Sequence, residues 1–162
     1  MAIEQSVWLP ALIGAGAALG TNVGERVLAR VFDGYARQEA QRDYDVELIE
    51  KVTFEIRDLA TTYWCTAGQD QQLEGSIVGR LTFVASLIDG LYKGHLDELR
   101  TMQMHMNRFD QACTSDDFGS VDRISNAGMC RDIETTAYNL VHTAMSSRRK
   151  MTTLRRIFNH TR

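Results

Sequence analysis

The side chains able to ligate metals or move protons are few. In 162 residues there are four histidines and three cysteines, with seven methionines as softer donors. The densest group is Met102, Met104, His105 and Met106. Thioether and imidazole donors in one short run form a ligand set for a soft metal ion. On a helix, Met102 and Met106 fall on the apolar face, while Met104 and His105 point elsewhere. Core and surface packing is therefore the stronger reading, and neither a metal nor another cofactor is expected. His95 lies on the same apolar seam and reads as a hydrogen-bonded core histidine. Cys65, Cys113 and Cys130 are odd in number and far apart, with no CxxC or zinc spacing, which fits ordinary buried thiols in a reducing compartment. No P-loop, GxSxG or HExxH motif occurs. The run from Gly14 to Gly20, GAGAALG, imitates a dinucleotide fingerprint, but no strand precedes it and no ribose-binding acid follows.

Two arginine–histidine pairs share one spacing. Arg100 precedes His105 by five residues, and Arg155 precedes His160 by five. The second pair lies in a basic block. Between Met145 and Arg162 stand Arg148, Arg149, Lys150, Arg155, Arg156 and Arg162, with no acid, although the whole chain carries a formal charge of -3. Arg148, Arg149, Lys150, Arg155 and Arg156 are thus candidates for contact with RNA or anionic lipid. The competing reading is a basic helix end, where cations are favoured by the helix dipole.

The element that would position all of this is the stretch from Gln5 to Gly24, QSVWLPALIGAGAALGTNVG. It is uncharged and lies between Glu4 and Glu25. As a helix it would be about 30 Å long, close to the thickness of a bilayer's hydrocarbon core. The spacing predicts a single membrane-spanning helix over residues 1–25, followed by a cytosolic helical bundle over 26–162. Pro10 is tolerable in a first helical turn, and Trp8 fits an interfacial anchor. Gly16, Gly20 and Gly24 fall four apart, a doubled small-xxx-small pattern that lets helices approach closely in lipid. A homo-oligomer assembled through this strip is expected, with Thr21 and Asn22 as polar candidates to line a pore. Arg26, Arg30, Arg37 and Arg42 follow the span and no cation precedes it, which puts the N-terminus outside and the C-terminal part in the cytoplasm.

Downstream the periodicity is helical throughout, so the expected class is all-α with three or four bundle helices. Val27, Leu28, Val31, Phe32 and Tyr35 continue the first helix, with Gly34 as a weak point. Asp43 is a plausible cap for a second helix carrying Val46, Ile49, Val52, Ile56, Leu59 and Tyr63, which ends around Cys65 to Gly68. A near-heptad seam then runs from Leu73 to Cys113, which Gly90 or Gly94 could split. Thr114 to Gly128 reads as a long loop. A last helix is expected from Met129 to Phe158, with Ile133, Ala137, Leu140, Ala144, Met151, Leu154 and Phe158 inward.

The glycine-rich span, the helical bundle and the terminal Arg155-x4-His160 together resemble the small HEPN-like membrane accessory proteins of type VI, RNA-targeting CRISPR systems. The resemblance implies a ring-forming helical bundle at the bacterial inner membrane whose N-terminal helices build a pore. It also implies membrane depolarisation in antiviral defence, with the lipid bilayer, RNA or a CRISPR effector as partners. In HEPN ribonucleases the Arg-x4-6-His pattern acts on the RNA 2′-OH and phosphate. The resemblance therefore leaves Arg155 and His160 as a possible degenerate pair within a protein expected not to be an enzyme. A membrane-tethered interaction module, binding RNA, anionic lipid or a protein, and a membrane-bound ribonuclease are the alternatives.

Overall fold

The computed structural model describes residues 8–115 and 117–151, with side chains at 30, 33–115 and 117–151. Its elements are α1 (Trp8–Cys65), α2 (Gln71–Leu91), α3 (Leu96–Thr114) and α4 (Ala127–Lys150). The described residues contain no strand, so the all-α class and the helical bundle stand. The chain divides into two compact units, Met1–Gln41 and Arg42–Arg162. The second unit holds the core.

That core follows from the stripes. Val46, Ile49, Val52, Ile56 and Tyr63 of α1 are buried, as are Ile77, Leu81, Val84, Ile88 and Leu91 of α2. Met102, Met106, Phe109 and Cys113 of α3 join Ile133, Ala137, Leu140 and Ala144 of α4 in the same cluster. A fully buried aliphatic side chain of this size contributes about 1.5–3 kcal/mol. α3 packs against both α2 and α4. Polar ties on the rim join the helices further. Arg80 meets Glu55 at 3.4 Å across α1 and α2, and Arg57 meets Glu134 at 3.7 Å across α1 and α4.

Two expectations about helix ends, at Asp43 and Gly34, are corrected, and the split offered at Gly94 is found. Asp43 does not start a helix, because α1 is already helical before it. An N-cap side chain acts only where the preceding backbone is non-helical, and neither a proline nor a run of glycines stops the chain upstream. Gly34 is helical too: one glycine costs about 1 kcal/mol against alanine and does not by itself end a helix. The seam from Leu73 to Cys113 is two helices. It breaks at Tyr92 to His95, where Gly94 takes a φ of +90°, a conformation unfavourable to any residue with a Cβ. The last helix starts at Ala127, capped by the Asn126 side chain, which accepts from Gly128 N–H and Met129 N–H. Its α-helical assignment closes at Lys150; Leu154 and Phe158 lie outside the described residues.

The membrane span meets a finding of its own. Among the described residues no helix is long and apolar enough to cross a membrane. Gln5, Ser6 and Val7, at the start of the uncharged stretch, lie outside the described residues.

α2 begins with a reciprocal cap. The Asp70 carboxylate accepts from Gln72 N–H at 3.1 Å and Leu73 N–H at 3.0 Å, while Glu74 Oε1 accepts from Asp70 N–H at 3.3 Å. Replacing Asp70 by alanine leaves two first-turn donors without this acceptor and is expected to cost about 1 kcal/mol. Urea unfolding of Asp70→Ala beside wild type measures it; an unchanged midpoint would show that the cap is not stabilising.

Candidate functional site

The residues singled out for chemistry separate in the fold. On α3, Met102 and Met106 are buried in the core and Met104 is exposed. His105 is half-buried, and Arg100 is exposed. Five helical positions turn about 140° beyond a full turn, so Arg100 and His105 do not share a face. Among the described residues no three His, Cys, Asp or Glu side chains converge on a point that could hold a metal. His95 is half-buried at the N-cap of α3, without a side-chain capping hydrogen bond, rather than in the core as expected. Arg155, Arg156 and His160 lie outside the described residues, as do the side chains of Thr21 and Asn22. Gly16, Gly20 and Gly24 are within α1.

The basic block is not uniform. Arg148 is 9% exposed, and its Nε stands 2.9 Å from Asp43 Oδ1. It is an internal tie between α1 and the last turn of α4 rather than a surface cation. Arg149 and Lys150 are exposed in that same turn.

What does converge is a polar junction at the C-terminal end of α1. Arg123, in the connection between α3 and α4, is 2% exposed. Its guanidinium lies 3.6 Å from the centroid of the Tyr63 ring. Nη1 donates to Tyr63 O and, at 2.6 Å, to Thr66 O, and Nη2 donates to Gly68 O. The last carbonyls of a helix lack partners within it and carry partial negative charge. A buried guanidinium, with five donors in a planar fork, satisfies several of them at once. Gly68, with a φ of +86°, turns the chain so that its own N–H returns to Arg123 O at 2.8 Å. The Tyr63 hydroxyl donates to Glu74 Oε1 at 2.9 Å and accepts from Gly119 N–H at 2.8 Å. Trp64 Nε1 donates to Cys113 O at 3.0 Å, in the last turn of α3.

Sequence reasoning missed Arg123 because an isolated arginine in a loop has no periodicity. The adjacent aromatics Tyr63 and Trp64 at a helix end, followed by Gly68, were the available signal. It also missed that Cys65 is exposed and that its Sγ stands 3.2 Å from Cys130 Sγ. Of the three thiols only Cys113 is fully buried, where desolvation raises its pKa.

Two open grooves flank α3. One, of about 460 Å³, lies against α2 and is lined by Val78, Leu81, Ala85, Met106, Asp110 and Phe118 among others. The other, of about 730 Å³, lies against α4 and is lined by Arg108, Gln111, Ser115, Asp132, Thr135 and Thr136 among others. Such surfaces suit a partner chain that fills shallow hollows and pairs with scattered polar groups. No family model, curated protein or solved structure matches this chain.

Two tests follow from these contacts. Arg123→Ala removes the guanidinium from Thr66 O and Gly68 O and leaves Tyr63 O to the Thr66 N–H and hydroxyl alone, and a loss of about 3 kcal/mol is expected in urea unfolding. Arg123→Lys should recover less than half of it, because an ammonium cannot span the fork; full recovery by lysine would reduce the site to bare charge. For His105, desolvation first and the nearby Arg108 charge second lower the pKa from the ordinary 6.5. The unfolded chain then binds the proton more readily, so stability falls as the pH drops through 6.5 towards the folded value. His105→Gln should flatten the decline in urea midpoint between pH 7.5 and 5.5, and an unaltered slope would remove this histidine as a cause.

Proposed function

We propose that this chain is a homo-oligomeric helical scaffold at a lipid bilayer. It assembles through the glycine face of α1 and offers the bundle of its second unit as an interaction domain. One observation carries the reading. The segment holding Gly16, Gly20 and Gly24 belongs to the α-helix Trp8–Cys65, so a spacing of four sets all three on one face. Such a face lets backbones of neighbouring helices approach closely in lipid. Insertion and association are coupled in this proposal. Pairing copies through that face withdraws bare backbone from lipid.

The resemblance to the membrane accessory proteins of type VI CRISPR systems extends this reading to a pore that depolarises the membrane, with Thr21 and Asn22 at its lining. A second reading draws on Arg149 and Lys150, exposed in the last turn of α4. There the basic end of the chain docks RNA or anionic lipid, each cation near a charged bilayer being worth about 1 kcal/mol.

The deciding measurement is the mass, by light scattering, of full-length protein extracted from membranes in detergent. A defined multiple of the protomer is expected, and Gly20→Ile should lower it to fewer protomers. A wild-type chain that stays monomeric in detergent-free buffer would overturn the proposal. Dye release from vesicles holding the wild type tests the pore: a sealed vesicle confines the reading to a scaffold.

A further inference from the structure

Cys65 closes α1 and Cys130 lies in the first turn of α4, 65 positions later. Their sulfurs are 3.2 Å apart. The setting is pinned on both sides. Asn126 N–H donates to Trp64 O at 2.8 Å, and the Cys130 thiol lies 3.8 Å from Thr61 O and 3.6 Å from Asn126 O. Both cysteines are free thiols, and Cys65 is exposed to solvent.

We propose that Cys65 and Cys130 form an oxidation site, at which a low-molecular-weight disulfide of the glutathione type converts the two thiols into one intramolecular disulfide. The exposed Cys65 thiolate attacks one sulfur of the glutathione disulfide, forming a mixed disulfide and releasing one glutathione thiolate. Cys130 then loses its proton and its sulfur attacks Cys65 Sγ, releasing the second glutathione. Two protein thiols are oxidised by two electrons, and one glutathione disulfide is reduced to two thiols. Closing the bond needs the sulfurs to approach by about 1.2 Å, to the ~2.05 Å of a disulfide. Burial, and then the hydrogen bond shared with Cys65, push the Cys130 thiol up to about 11. Cys130 is therefore the resolving sulfur, and the second step speeds up as the pH rises. The bond would tie the last residue of α1 to the first turn of α4, beside the carbonyls that Arg123 caps. It also closes a long loop, which favours the folded chain by restricting the unfolded one.

The test uses the reduced full-length protein incubated with oxidised glutathione, read by thiol titration, intact mass and thermal unfolding. Free thiols should fall from the three in the sequence to one, the mass should fall by two hydrogens, and Tm should rise by about 10 °C. Cys130→Ser should stop at a glutathione adduct on Cys65, and Cys65→Ser should keep both remaining thiols and its original Tm. The proposal is overturned if the wild type keeps three thiols, stops at a glutathione adduct, links into dimers, or forms its internal bond through Cys113.

Discussion

The bundle depends on how one helix end is finished. α1 stops at Cys65 with carbonyls that its own backbone cannot satisfy, beside the buried side chains of Tyr63, Trp64 and Arg123. Arg123 meets them from the other side of the chain's sequence, with its charge spread over a plane that also lies on the Tyr63 ring. Burying a charge is costly, and here the cost is offset by carbonyl acceptors, by the helix dipole and by the aromatic face. Its Nε makes no hydrogen bond, so the balance rests on the two Nη groups and the ring.

From that point the other elements take their places. Tyr63, held under the guanidinium, joins the N-terminal turn of α2 through Glu74 and the α3–α4 connection through Gly119. Trp64 reaches the end of α3 through Cys113 O. At the opposite end of α4, Arg148 closes on Asp43, and Tyr92, just past α2, donates to Ala144 O at 3.0 Å. Burial raises the Tyr92 pKa, which keeps the phenol a donor there across the physiological range. The C-terminal ends of α1 and α3 are thus tied by side chains from other segments, Arg123 and Trp64, which orders the connections as well as the core.

The same economy of polar groups bears on function. Among the described residues, buried Arg123 and Thr143 donate to backbone carbonyls, Arg148 meets Asp43 and the Thr53 hydroxyl has no partner, while the sulfurs of Cys65 and Cys130 stand 3.2 Å apart at the α1–α4 seam. The open grooves beside α3 lie against α2 on one side and α4 on the other.

The sequence by itself determined the class and most of the core. Repeats at three and four picked out Ile49, Ile56, Ile77, Ile88, Phe109, Ile133 and Leu140, all buried, because helical geometry is local and turns spacing directly into a face. It also offered Gly94 as a break, since a glycine is where left-handed backbone is easiest to adopt. It misread Asp43, because capping depends on the state of the residues before it. Only the tertiary structure decided that Arg123 caps α1, that Arg148 is an internal tie, and that Cys65 and Cys130 touch. Those three facts join segments dozens of residues apart, and no local periodicity encodes a meeting that is set by how whole helices pack.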